Sequence, residues 1–116
     1  MIQLHRLNIQ QRFADAKLDC DKLFEVRLND RYYQKGDLIQ YKVVTNSEQF
    51  THSIPLKEHN LSSRIYEITY VYSGQGVEPG YVVLGEQDVT EDYINKTGKY
   101  ENLQQLNTVE TKEDGQ

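Results

Sequence analysis

Lys22-Leu23-Phe24-Glu25-Val26-Arg27-Leu28-Asn29-Asp30-Arg31-Tyr32-Tyr33-Gln34-Lys35-Gly36-Asp37 is the stretch on which the reading of this chain turns, because nowhere else do charged and apolar residues alternate so regularly. Alternation at period two predicts a β-strand over Phe24 to Asn29, with successive side chains on opposite faces. Phe24, Val26 and Leu28 then form a core face, and Glu25, Arg27 and Asn29 a polar row. Lys22 before that row and Asp30 and Arg31 after it make it the candidate ligand site.

Working outward, Lys35-Gly36-Asp37 predicts a turn, since Gly36 can adopt a positive φ. Leu38 to Val44 alternates again, with Ile39, Tyr41 and Val43 on one face and Gln40 and Lys42 on the other. So short a connection predicts an antiparallel pair with the preceding strand. On the N-terminal side, Leu4 to Ile9 reads as a strand. Gln10 to about Leu18 reads as a helix with Ile9, Phe13 and Ala16 near one face, broken by Asp19, Cys20 and Asp21. Thr45 to Asn60 has no sustained periodicity and reads as a long loop. Arg64 to Tyr72, rich in Ile, Tyr, Thr and Val, predicts a long central strand, and Tyr81 to Gly85 a last one. The glycines between them do not form a dinucleotide loop, because a strand follows where a helix is required.

At 116 residues and 13.6 kDa the chain fits a single domain. A hydrophobic share of 37% and mean hydropathy of -0.76 assign part of the length to a polar tail. The expected division is a folded domain over 1–88 and an acidic polar extension over 89–116, disordered from Thr108 onward. A net charge of -5 lacks the overall basic footprint of a duplex binder, so any nucleic-acid contact must be local. From Lys22 to Lys42, five cations face three carboxylates, a local balance of +2. One cysteine, Cys20, leaves no intramolecular disulfide or paired-cysteine zinc site and suggests a reducing compartment. With no apolar run of membrane-spanning length, the expectation is a cytoplasmic protein without a membrane partner. His5, His52 and His59 lack the close spacing of metal ligands, so neither metal nor other cofactor is expected, and a monomer is favoured.

The central run resembles the ASCH domain, in particular the small subfamily known as DUF3850. The ASCH signature is Gly-x-Lys-x-x-Glu; Cys20-Asp21-Lys22-Leu23-Phe24-Glu25 matches its Lys and Glu and places Cys20 at the Gly. The subfamily's Glu-x-Arg-x-Asn-Asp-Arg run is matched unbroken by Glu25 to Arg31, followed by Gly36-Asp37. His5, the stretch from Tyr70 to Gly76 and Gly80 to Leu84 add to the likeness, whereas Asn8 stands where the first strand typically has Lys. The resemblance implies an α+β fold of PUA-like type, a small mixed β-barrel with one or two flanking helices, whose signature Lys lines a cleft suited to RNA or a nucleotide-like ligand. Members similar in fold include amidohydrolases of an acylated cytidine, and a ribonuclease activity is also attributed to the group. The amidohydrolases use the Lys with a Thr where this chain has Glu25.

The residues support a ligand site on chemistry alone. Arg27 and Arg31 offer planar forks for phosphate or a base edge, Lys22 a point charge, and Asn29 a donor and acceptor together. The leading expectation is an RNA- or nucleotide-binding module using Lys22, Glu25, Arg27, Asn29, Asp30, Arg31 and His5, with Tyr32, Tyr33, Tyr66, Tyr70 and Tyr72 as candidate stacking faces. The alternative is a hydrolase acting on modified cytidine or RNA, with Lys22 as base or nucleophile, its pKa depressed by the arginines, and Glu25 handling protons. A third reading has the acidic C-terminal segment dock a basic partner. A purely structural role, with Glu25–Arg27 and Asp30–Arg31 as ion pairs tying strands together, remains beside these.

Overall fold

The computed structural model describes residues 2–46, 51–55, 57–103 and 106–110. Strand β1 (Gln3–Gln10) leads directly into helix α1 (Gln11–Leu18), as the periodicities require. The remaining strands are β2 (Phe24–Leu28), β3 (Leu38–Asn46), β4 (Thr51–Ser53), β5 (Ile65–Tyr72), β6 (Tyr81–Asp88) and β7 (Asn107–Val109). Between β4 and β5 lies a short 3-10 helix, Asn60–Ser63; helix α2 (Thr90–Ile94) and a 3-10 turn, Gly98–Tyr100, follow β6. Part of the expected 45–60 loop is therefore regular, with β4 antiparallel to β3. Among the described residues no helix is long and apolar enough to cross a membrane.

The strands form one mixed sheet in the order β2-β6-β5-β3-β1-β7, with β4 attached to β3. β1 runs parallel to both neighbours, β3 and β7; the other pairs are antiparallel. The expected hairpin between β2 and β3 does not form. Gly36 does take a φ of 96° in the turn before β3, but residues 29–37 intervene, and β2 pairs with β6 instead.

The sheet is mixed and open, which corrects the expected closed barrel. No described pairing joins β2 to β7, and three-residue β7 is too short to extend a ladder far. The sheet is nevertheless curled. Flat, β2 and β1 would lie four strand spacings apart, roughly 19 Å, yet the Arg27 guanidinium donates to the Asn8 carbonyl of β1 at 2.5 Å. A β2 side chain thus reaches the β1 backbone across the concave face.

That face holds the main core: Leu7, Ile9, Ala14, Tyr33, Ile39, Tyr41, Val43, Leu61, Tyr66, Ile68, Val82 and Leu84. A second core, Leu4, Leu38, Ile65, Val89 and Tyr100, is packed by Ile2, Tyr93, Leu103 and Leu106. Residues beyond 88 thus supply part of this second core, and Thr108 and Val109 pair with Leu4 and His5. Residues 111–116 lie outside the described residues.

Candidate functional site

The strand that carries the central run has the reverse of its expected sense. Phe24, Val26 and Leu28 are 45%, 49% and 41% exposed, whereas Glu25 and Arg27 are 4% and 2% exposed. Charges can face an interior when each finds a partner there. The partners come from distant elements: Lys17 of α1, Glu86 of β6 and Tyr41 of β3.

Glu25 is the hub. Its Oε1 lies 3.2 Å from the Lys17 Nζ and in contact with that of Lys22; its Oε2 lies 3.3 Å from the Arg27 Nε. Lys17, whose side chain is fully buried, also pairs with Glu86 and donates to the Lys22 and Phe24 carbonyls at 3.3 Å. Tyr41 donates to Glu86 at 2.6 Å. Burial alone would raise the Glu25 pKa, but Lys17, Arg27 and Lys22 together hold it below the ordinary carboxylate value. Glu86 shifts upward: burial dominates, and Glu25 adds repulsion, against the opposing Lys17 and Tyr41. Burial, with Glu25 and Glu86 beside it, likewise pushes the Tyr41 phenol well above its usual range.

Lys22 marks the outer end of this network. Its Nζ donates to the Phe24 carbonyl at 2.8 Å and lies 5.5 Å from the Phe13 ring centre and 5.0 Å from that of Phe24. The Arg12 guanidinium lies 4.5 Å from the Phe13 ring centre. Two half-exposed rings and two cations therefore share one patch of surface.

At the other end, His5 is fully buried against the Tyr33 ring, 4.8 Å between centres. Its Nε2 donates to Asp37 at 2.9 Å, and Asp37 also accepts from the Gln3 and Gln34 backbone N–H groups. Burial outweighs Asp37 and lowers the His5 pKa, which favours the neutral ring. Arg31 donates to the Val109 carbonyl at 3.3 Å, sits 3.6 Å from Asp30, and lines a cavity of about 860 Å³ together with Tyr32, Lys35, Asp37 and Lys99.

The expected site residues are thus divided. Lys22, Glu25 and Arg27 belong to the interior network, His5 and Arg31 flank the cavity region, and Asn29 and Asp30 are exposed. Of the candidate stacking faces, Tyr33 and Tyr66 are core residues, while Tyr32, Tyr70 and Tyr72 are exposed. Sequence reasoning missed Lys17, Tyr41 and Glu86. Two signals were present: Lys17 lies four residues after Phe13 on the inward side of α1, and Glu86 continues the inward series Val82, Leu84.

Among the described residues, no three His, Cys, Asp or Glu side chains gather as a metal-holding group. The family described as "Domain of unknown function (DUF3850)" matches residues 4–86. The chain belongs to this family. No curated protein matches it.

The DUF3850 run also explains itself at Cys20. Helix α1 ends in a Schellman turn, with the Asp21 N–H bonded to the Ala16 carbonyl at 2.9 Å and the Cys20 N–H to that of Lys17 at 3.0 Å. That geometry places Cys20 at φ 62°, in the left-handed region where glycine is unstrained. The position is exposed. Cys20→Gly is expected to stabilise the chain by about 1 kcal/mol in urea unfolding; a loss of stability would contradict this account.

Proposed function

We propose that this DUF3850 chain is an RNA- or nucleotide-binding module of the PUA-like (ASCH) kind, the curled sheet standing where that superfamily is expected to have a barrel. The observation that carries the reading is the position of Lys22: its ammonium sits between the Phe13 and Phe24 rings, beside Arg12, on a protein of net charge -5. Half-exposed rings interleaved with cations suit single-stranded bases and the phosphates between them. In this reading Glu25 and Arg27 do not touch ligand. They fix Lys22 and β2 from inside.

The hydrolase reading draws on the direct contact between Lys22 and Glu25. Against it, both oxygens of Glu25 are occupied by cations and its pKa is depressed, which makes a weak general base near neutral pH. Binding is therefore the better-supported function.

Fluorescence anisotropy with short labelled RNAs tests it. Lys22→Ala with Phe24→Ala is expected to weaken binding at least about tenfold, since one base–aromatic stack is worth roughly 1–3 kcal/mol. Lys22→Ala alone should also flatten the salt dependence. Unchanged affinity and salt slope in variants whose circular dichroism matches the parent would sink the reading.

A further inference from the structure

The cavity beside Arg31 has no part in the Lys22 patch, and its lining has a chemistry of its own. Arg31, Tyr32 and Lys35 come from the segment joining β2 to β3; Lys99 and Leu103 come from the segment after α2; Ile2 precedes β1. Its volume, about 860 Å³, falls within the range of small-molecule sites.

Three cations line it against one carboxylate, and that carboxylate, Asp37, is already occupied by three donors: the His5 ring and the backbone N–H groups of Gln3 and Gln34. Two of the cations have neighbours of their own, Glu67 for Lys99 and Asp30 for Arg31. Lys35 has no ion-pair partner among the described residues, and Lys99 remains 59% exposed. An anion entering here would meet donors that are not fully used.

Tyr32 supplies the second observation. Its ring is 85% exposed, and its backbone is held at φ 50°. A tyrosine gains nothing in stability from this conformation, which costs on the order of 1 kcal/mol or more. An exposed aromatic kept in a strained turn at the lip of a cationic cavity has the attributes of a ligand contact. Ile2 and Leu103 add apolar surface to the lining.

We propose that this cavity binds a nucleoside 5'-monophosphate group, with the base against Tyr32 and the apolar wall and the phosphate between Lys35 and Lys99. The inference deepens the nucleotide-binding reading and rests on it for the ligand class. The group could be a free mononucleotide or the 5' end of an RNA strand, and the two sources are separable by experiment.

Calorimetric titration with AMP, adenosine and inorganic phosphate, and with a short RNA carrying either a 5'-phosphate or a 5'-hydroxyl, decides between the outcomes. Wild type should bind AMP at least tenfold more tightly than adenosine or phosphate alone. Lys35→Glu with Lys99→Glu should lose at least tenfold in AMP affinity. Tyr32→Gly should weaken AMP binding while raising the melting temperature, an opposition that a merely structural residue would not produce. A preference for 5'-phosphorylated over 5'-hydroxyl RNA marks the strand end as the source; equal RNA affinities with AMP bound mark the free mononucleotide. AMP binding that is absent, or indifferent to the Lys35 and Lys99 changes, overturns the cavity assignment even if RNA still binds. Failure of wild type to bind any RNA or AMP overturns the nucleotide-binding reading as well.

Discussion

Lys17→Met is expected to destabilise the protein by about 3–5 kcal/mol, because it removes one member of a buried ion network and leaves the others in place. Methionine preserves the length and much of the volume of the side chain, so the loss is electrostatic more than steric. Glu86 suffers most, since Lys17 is the only cation paired with it among the described residues, whereas Glu25 keeps Lys22 and Arg27. Adding Glu86→Gln to Lys17→Met should therefore recover a substantial part of the loss, with a coupling above about 1 kcal/mol in a double-mutant cycle. Chemical unfolding of the four proteins gives the numbers. Additive effects would mean that the Lys17–Glu86 contact is energetically silent.

Glu25→Gln should cost about 2–4 kcal/mol at pH 7, as it leaves Lys17, Lys22 and Arg27 crowded without their common counter-charge. Glu86→Gln should cost less, because burial already disfavours the ionised form of that carboxyl. Acid separates the two residues further. Glu25 ionises below its unfolded value of 4.5 in the fold, so its stabilisation is present above that pH and fades as pH falls through the lower, folded value. Glu86 holds its proton to higher pH when folded; its contribution is full below 4.5 and fades as pH rises through the raised value. The Glu25→Gln deficit should consequently hold from pH 7 down to about 4.5 and shrink as pH falls below that value. A larger deficit for Glu86→Gln than for Glu25→Gln at pH 7 would refute this assignment.

The local periods in the sequence were enough to place β1, α1, β2, β3, β5 and the start of β6. They set which side chains share a face, and Ile39, Tyr41 and Val43 are buried together as read. They could not set the sign of the β2 face. An alternating strand is equally consistent with charges out or charges in, and what decides is whether counter-ions are waiting inside. Here Lys17 precedes β2 by seven residues and Glu86 lies some sixty beyond it, so the deciding contacts lie outside the strand's own alternation. The missing β2–β3 hairpin has a similar origin: a strand ending at Asn29 and a turn at Lys35–Asp37 leave Asp30 to Gln34 between them, and this stretch forms the excursion that carries Arg31 and Tyr32. The polar composition after residue 88 hid Val89, Tyr93, Tyr100, Leu103 and Leu106, which are few but spaced to cover the second core.

The lysine contacts at the start of β2 also shape the exposed edge of the sheet. In the β2–β6 ladder, the Leu23 carbonyl accepts from Glu86 and the Asn29 N–H donates to Gly80, so Leu23, Glu25, Arg27 and Asn29 turn their backbone groups toward β6. Phe24, Val26 and Leu28 turn theirs toward the open side, and their apolar side chains are exposed as well. Such an edge would template a strand from another molecule. Lys17 and Lys22 both donate to the Phe24 carbonyl, which removes the first outward acceptor that a visiting strand would use. The cations that neutralise Glu25 therefore also act as gatekeepers of this edge, placing ammonium groups where another backbone would otherwise dock.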